Sequence, residues 1–177
     1  MTELPVVRSL TAQEAGERIA DLSAVLVDCV DGGASVSFMA PLAREKAEGF
    51  WRRVAEDVAS GNRALLVAED RAGGEIVGTV QLIFSLPENQ PHRAEVAKML
   101  VRRSARRRGL AGHLMRAAED VARSAGKTLL VLDTVTGGDA ERLYERLGWS
   151  RVGVVPEYAL MPDGRPCDTT IFYKILA

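Results

Sequence analysis

At 177 residues the chain has room for one ordinary domain with a real core, and two independent domains would each be small, so a single domain over residues 1–177 is expected. Its 47% hydrophobic and 27% charged residues exclude a disordered chain, and a formal net charge of −1 argues against a nucleic-acid surface. Cys29 and Cys167 are too few and too far apart for a disulfide framework or a zinc site, and the sequence shows neither a secretory signal nor a run of roughly 20 apolar residues, so a cytoplasmic protein off the membrane is expected.

In chain order, Leu4 to Arg8 suits a short strand. Thr11 followed by Glu14 has capping-box spacing, and Ala15, Ile19, Leu22 and Leu26 continue at helical intervals, which predicts one helix ending near Asp28. Gly32 to Met39 is a small-residue loop carrying Phe38 and Met39, either a connector that tucks both into the core or a cover for a pocket. Ala47, Phe50, Trp51, Val54 and Val58 mark a second helix over Leu42 to Ser60. Ala64 to Ala68 and Ile76 to Phe84 read as a hairpin turned at Asp70 to Glu75.

A central strand follows from Arg93 to Val101, with Glu95, Ala97, Met99 and Val101 predicted on one face and Val96, Lys98 and Leu100 on the other. Five arginines then fall between Arg102 and Arg108, ahead of a helix in which Leu110, Leu114, Ala118 and Val121 share a face and Arg116, Glu119, Asp120 and Arg123 lie largely opposite. Thr128 to Leu132, ending at Asp133, suits a parallel strand buried on both faces. A short helix around Ala140, Leu143, Tyr144 and Leu147 and two strands, Arg151 to Val155 and Thr169 to Leu176, complete a mixed α/β sheet.

The arginine-rich turn offers cations, approachable backbone N–H groups and the positive end of a helix dipole, a setting for a phosphate-bearing ligand. Two familiar phosphate motifs fail there. Gly126-Lys127-Thr128 lacks the leading glycine of a Walker loop, because position 121 is Val121, and it leads into a strand; the dinucleotide fingerprint has only Gly109 and Gly112. His92 and His113, the only histidines, lack ligand-like spacing, so no metal site is expected and no serine or cysteine nucleophile has a plausible partner.

What remains is R-x-x-G-x-A at Arg106, Gly109 and Ala111 between a strand and an amphipathic helix. It resembles the acetyl-CoA signature of the GNAT acyltransferase superfamily, and the element order resembles the GNAT fold, a mixed central sheet whose parallel strands splay apart, flanked by helices. The resemblance implies that the coenzyme meets the strand backbone at Met99, Leu100 and Val101 and the turn at Arg106, Arg107, Arg108, Gly109, Leu110, Ala111 and Gly112. Two residues depart from the related turns, Arg107 and Ala111, each standing where glycine occurs. Arg102 and Arg103 read as solvent-facing charges.

Short blocks including Gly32 to Val36, Arg93 to Val96, Leu132-Asp133-Thr134 and Pro162 to Arg165 resemble the tabtoxin-resistance branch of that superfamily, which acetylates an amino acid-like toxin. Acetyl transfer to an amine needs a base, and the carboxylates Glu95 and Asp133 are the natural candidates. Glu95 could equally be a surface partner of Arg93, and Asp133 a turn cap. The resemblance favours catalytic roles for both and implies a general-acid role for Tyr144, which also fits an apolar helical stripe. The expected acceptor is a small-molecule amine, with Arg93 a candidate cation for its carboxylate. Other amines, a protein lysine or a non-catalytic acyl-CoA sensor are the alternatives. Nothing in the sequence fixes the oligomeric state, and a homodimer is allowed.

Overall fold

The computed structural model describes residues 5–71 and 74–176. Strand β1 (Val6–Ser9) leads into helices α1 (Ala12–Glu17), α2 (Ile19–Asp31) and α3 (Arg44–Ala59). Strands β2 (Arg63–Glu69), β3 (Ile76–Ile83) and β4 (Arg93–Val101) follow, then α4 (Leu110–Ser124), β5 (Leu129–Val135), α5 (Asp139–Arg146), β6 (Ser150–Leu160) and β7 (Pro166–Ile175). Leu4 of the expected first strand, and Ala72 and Gly73 of the expected hairpin turn, lie outside the described residues.

The capping box forms as the spacing predicts: the Glu14 N–H donates to Thr11 Oγ1 at 3.2 Å and the Thr11 N–H to Glu14 Oε2 at 2.8 Å. The single helix expected after it is instead two. Arg18 leaves helical geometry between α1 and α2, and its guanidinium bonds Asp21, Glu69 and the Gly74 carbonyl.

The seven strands form one sheet in the order β1-β2-β3-β4-β5-β7-β6, and β4–β5 is its parallel pair. One core fills the space between one face and α4, built on residues such as Leu66, Val96, Leu114 and Phe172. Against the other face, Leu22 and Leu26 of α2 and Trp51 of α3 form a second core with Leu100 of β4. Burial of these large apolar side chains on both faces is the main favourable contribution to folding.

Glu119 departs from the expected pattern, since it is buried on α4 rather than turned to solvent. Lys174 on β7 holds it at 2.8 and 2.9 Å, and Trp149 Nε1 donates to it at 3.3 Å. Such a buried charge is tolerable only with partners of this kind.

Gly78 on β3 lets α4 and β4 approach the sheet closely: a Cβ there would meet the Leu100 carbonyl oxygen and Leu114 Cδ1, both at 3.0 Å. Gly78→Val is expected to destabilise the fold by about 1–3 kcal/mol, the range for overpacking, and a lowered Tm in thermal unfolding checks it.

Candidate active site

The parallel pairing of β4 with β5 is short. It joins Arg93–Glu95 to Leu129–Val131 and then stops. Beyond it Lys98 adopts φ +49°, and the register with β3 shifts between Thr79 and Gln81. This is a β-bulge, which bends a strand and ends pairing. The Thr79 hydroxyl steadies it by donating to the Lys98 carbonyl at 2.9 Å.

The bulge also changes which way side chains point. Strict alternation would place Leu100 with Val96 and Lys98, yet Val96 and Val101 pack on the α4 side while Leu100 joins the core under α1 to α3. Past Glu95, the β5-facing backbone of β4 borders a cleft of about 1350 Å³ that separates the two strands. Its unpaired N–H and C=O groups are available to a ligand.

At one end of the cleft lies the arginine-rich turn. Arg107 has φ +60° and Gly109, the N-cap of α4, has φ +77°, a region that glycine enters without steric cost. No side chain caps α4, so its first N–H groups, at Leu110, Ala111 and Gly112, are free to meet an anion. Met99, Leu100, Val101, Arg106, Arg107, Gly109, Leu110, Ala111 and Gly112 line the cleft, and Arg108 lies outside its lining.

Three of the five arginines brace the turn. Arg102 pairs with Glu75, and Arg103 bonds Asp28 through its N–H at 2.8 Å and its Nε at 2.9 Å, so neither is simply a solvent-facing charge. Arg106 Nε donates to the Val101 carbonyl at 3.0 Å. Arg116, which helical spacing puts on the polar face of α4, also lines the cleft beside Gly112.

Asp133 lies further along, on β5 where the strands have parted. Asp133 keeps an exposed face in the open cleft, and desolvation by the surrounding walls pushes its carboxyl above the ordinary value; Lys98 opposes that rise and Glu95 adds to it. Glu95 stays outside the cleft lining, with its side chain 43% exposed and ion-paired to Arg93 at 3.0 Å. Arg93 is also held by Gln90 at 2.8 Å and does not line the cleft. Tyr144 does, while its ring packs between Trp149 and Phe172, each 6.0 Å away by ring centroids. Burial, with a smaller contribution from Asp133, pushes its phenol up, so it holds its proton.

The loop from Gly32 to Met39 walls the cleft and tucks Phe38 against the core, whereas Met39, expected in the core under the connector reading of this loop, stays exposed. Phe38 packs edge-on against Phe50 at 5.4 Å, and Phe38 and Met39 also line the cleft. Ser35 Oγ donates to the Leu160 carbonyl at 2.8 Å and the Ala40 N–H to the Pro162 carbonyl at 3.0 Å, which ties the loop to the β6–β7 hairpin and walls the cleft. Cys29 and Cys167 are free thiols. Among the described residues, no His, Cys, Asp and Glu cluster could hold a metal, and no helix is long and apolar enough to cross a membrane.

A family model for the acetyltransferase (GNAT) family matches residues 36–149. An uncharacterized N-acetyltransferase from the hisH-hisA intergenic region of Azospirillum brasilense is 36% identical over 115 residues, 64% of this chain and 66% of that protein, so the match spans just under two thirds of the relative. The fold is similar to that of yncA from Salmonella typhimurium, solved with its cofactor acetyl-CoA, with a TM-score of 0.79 at 18% identity, covering 99% of this chain and 95% of that one. It is equally similar to that of the ribosomal-protein-alanine N-acetyltransferase from Brucella melitensis, at a TM-score of 0.79 and 22% identity over 97% of this chain and 99% of that one.

Proposed function

The chain belongs to the acetyltransferase (GNAT) family, acyltransferases that draw on acetyl-CoA, and we propose that it acetylates the amine of a small amino acid-like toxin or antibiotic such as tabtoxinine-β-lactam. The observation that carries this reading is the parting of β4 from β5, with an uncapped helix N-terminus at one end of the gap and a carboxylate, Asp133, open to the cleft further along it. That arrangement suits a long ligand with phosphates at one end and a reacting group at the other. The turn from Arg106 to Gly112 would hold the pyrophosphate, and the open β4 backbone at Met99, Leu100 and Val101 would meet the pantetheine arm and polarise the thioester carbonyl.

In this reading Asp133 takes a proton from the acceptor ammonium, directly or through one water, because only the neutral amine has a lone pair to attack with. Desolvation by the cleft walls makes that carboxylate a stronger base than an aspartate in open water. Glu95 acts through Asp133, raising its basicity from the neighbouring strand. Tyr144 holds its proton until the thiolate departs, gives it to that sulfur and regains one from the acetylated nitrogen, which loses its second proton as the tetrahedral intermediate collapses.

Tyr144→Phe retains both ring contacts and is expected to lower kcat about a hundredfold, at the weak end of general-acid contributions, with an unchanged Tm. Direct transfer in a ternary complex predicts intersecting initial-rate lines and no acetyl adduct in the intact mass of protein incubated with acetyl-CoA alone. Parallel lines with an acetylated protein would instead require a covalent intermediate.

A further inference from the structure

We infer that Lys98 is the specificity-determining residue for the acceptor, binding an anionic group on it, most simply an α-carboxylate, while Asp133 faces its amine. This deepens the acetyltransferase reading above and rests on it. Of the residues that line the cleft from β4, β5, β6 and the loop from Gly32 to Met39, Lys98 and Asp133 are the charged ones. One cation and one carboxylate on opposite sides of the strand gap match a zwitterionic acceptor.

Geometry holds the ammonium in place. The bulge at Lys98 turns its side chain toward α3, where Nζ lies 5.6 Å from the Phe50 ring centroid and donates to Ser37 Oγ at 3.1 Å. A cation positioned by a hydroxyl and an aromatic face keeps donor capacity to spare, since an ammonium carries three N–H groups. Among the described residues Lys98 forms no ion pair.

Arg142 and Arg146 also line the cleft, from α5 and not from the strands that part, and Arg142 pairs with Asp139. Arg93 is held by Glu95 and Gln90 outside the cleft, and Arg63, whose charge Lys98 feels, pairs with Asp57 at 2.9 Å. Arg107 and Arg116 belong to the turn and to α4, at the coenzyme end. Burial and Arg63 lower the Lys98 pKa, and Asp133 raises it. An anionic partner would offset the desolvation of this half-buried ammonium.

The test measures KM at saturating acetyl-CoA for the common L-amino acids and tabtoxinine-β-lactam as acids, and for the primary amide of each amino acid. The native protein is expected to prefer acids over their amides. Lys98→Met should shrink that preference about tenfold to a hundredfold, the worth of a charge-assisted hydrogen bond, and Lys98→Arg should restore most of it. Calorimetry with acetyl-CoA checks that both variants still bind the coenzyme.

Equal or better turnover of amides by the native protein would overturn the assignment of Lys98 alone. So would a Lys98→Met variant that loses kcat on acids and amides alike with KM unmoved, because that is a catalytic or structural defect. Absence of turnover with every amine would overturn this inference together with the acetyltransferase reading.

Discussion

Asp133→Asn is expected to lower kcat by about a hundredfold to ten-thousandfold, the contribution of a positioned general base. Asparagine keeps the shape of the side chain and removes the capacity to accept a proton. The fold should not suffer. Because the folded state raises the pKa of this carboxyl, its ionised form is disfavoured by folding, and the penalty is present at neutral pH and vanishes as pH falls below the unfolded value. Asparagine removes that penalty, so Tm at pH 7 should hold or rise.

The same shift sets the pH profile. The active form is the carboxylate, so kcat/KM should fall as pH drops through a raised pKa, above the limb that an aspartate in open water would give. Stopped assays across pH, with thermal unfolding on the same samples, separate loss of base from loss of fold. An Asp133→Asn variant with full kcat would remove Asp133 from the mechanism.

Ala111→Asp is expected to weaken acetyl-CoA binding about a hundredfold or more, since like charges brought together at a binding surface cost several kcal/mol. Ala111 lies in the first turn of α4 and lines the cleft where the pyrophosphate is proposed to sit. An aspartate at that position suits an isolated helix, because its charge complements the N-terminal end of the dipole. Binding and stability should therefore move apart: calorimetry with acetyl-CoA should show the loss while Tm stays put. Unchanged affinity would place the phosphates elsewhere.

Much of the frame was legible because it depends on local signals. The strand from Arg93 to Val101 appears with the bounds that its alternation and the following arginines implied, and α4 begins at Leu110, directly after the R-x-x-G of the motif. The capping box at Thr11 and Glu14 formed for the same reason. What escaped depends on contacts far apart in the chain. Strict alternation put Lys98, Val96 and Leu100 on one face, and only the pairing of β4 with β3, with its register shift beside Thr79, shows that a bulge interrupts the period.

Glu119 looked like a solvent-face residue because Lys174, which makes its burial tolerable, comes from the last strand. The loop at Phe38 could not be placed from sequence because the Ser35 hydroxyl is tied to Leu160 across 125 positions. Arg93 beside Glu95 was readable as an adjacent pair, and that pairing is the reason it is occupied rather than available to a ligand.

Coenzyme A release tests the proposed acetyl transfer most directly. Acetyl-CoA is incubated with the protein and a panel of amines that includes tabtoxinine-β-lactam, with free thiol followed alongside the mass of the product. Thiol release should depend on the amine, match the amount of N-acetylated acceptor and favour amino acid-like compounds. Thiol release at the same rate without any amine, or none with any of them, would contradict the proposed transfer.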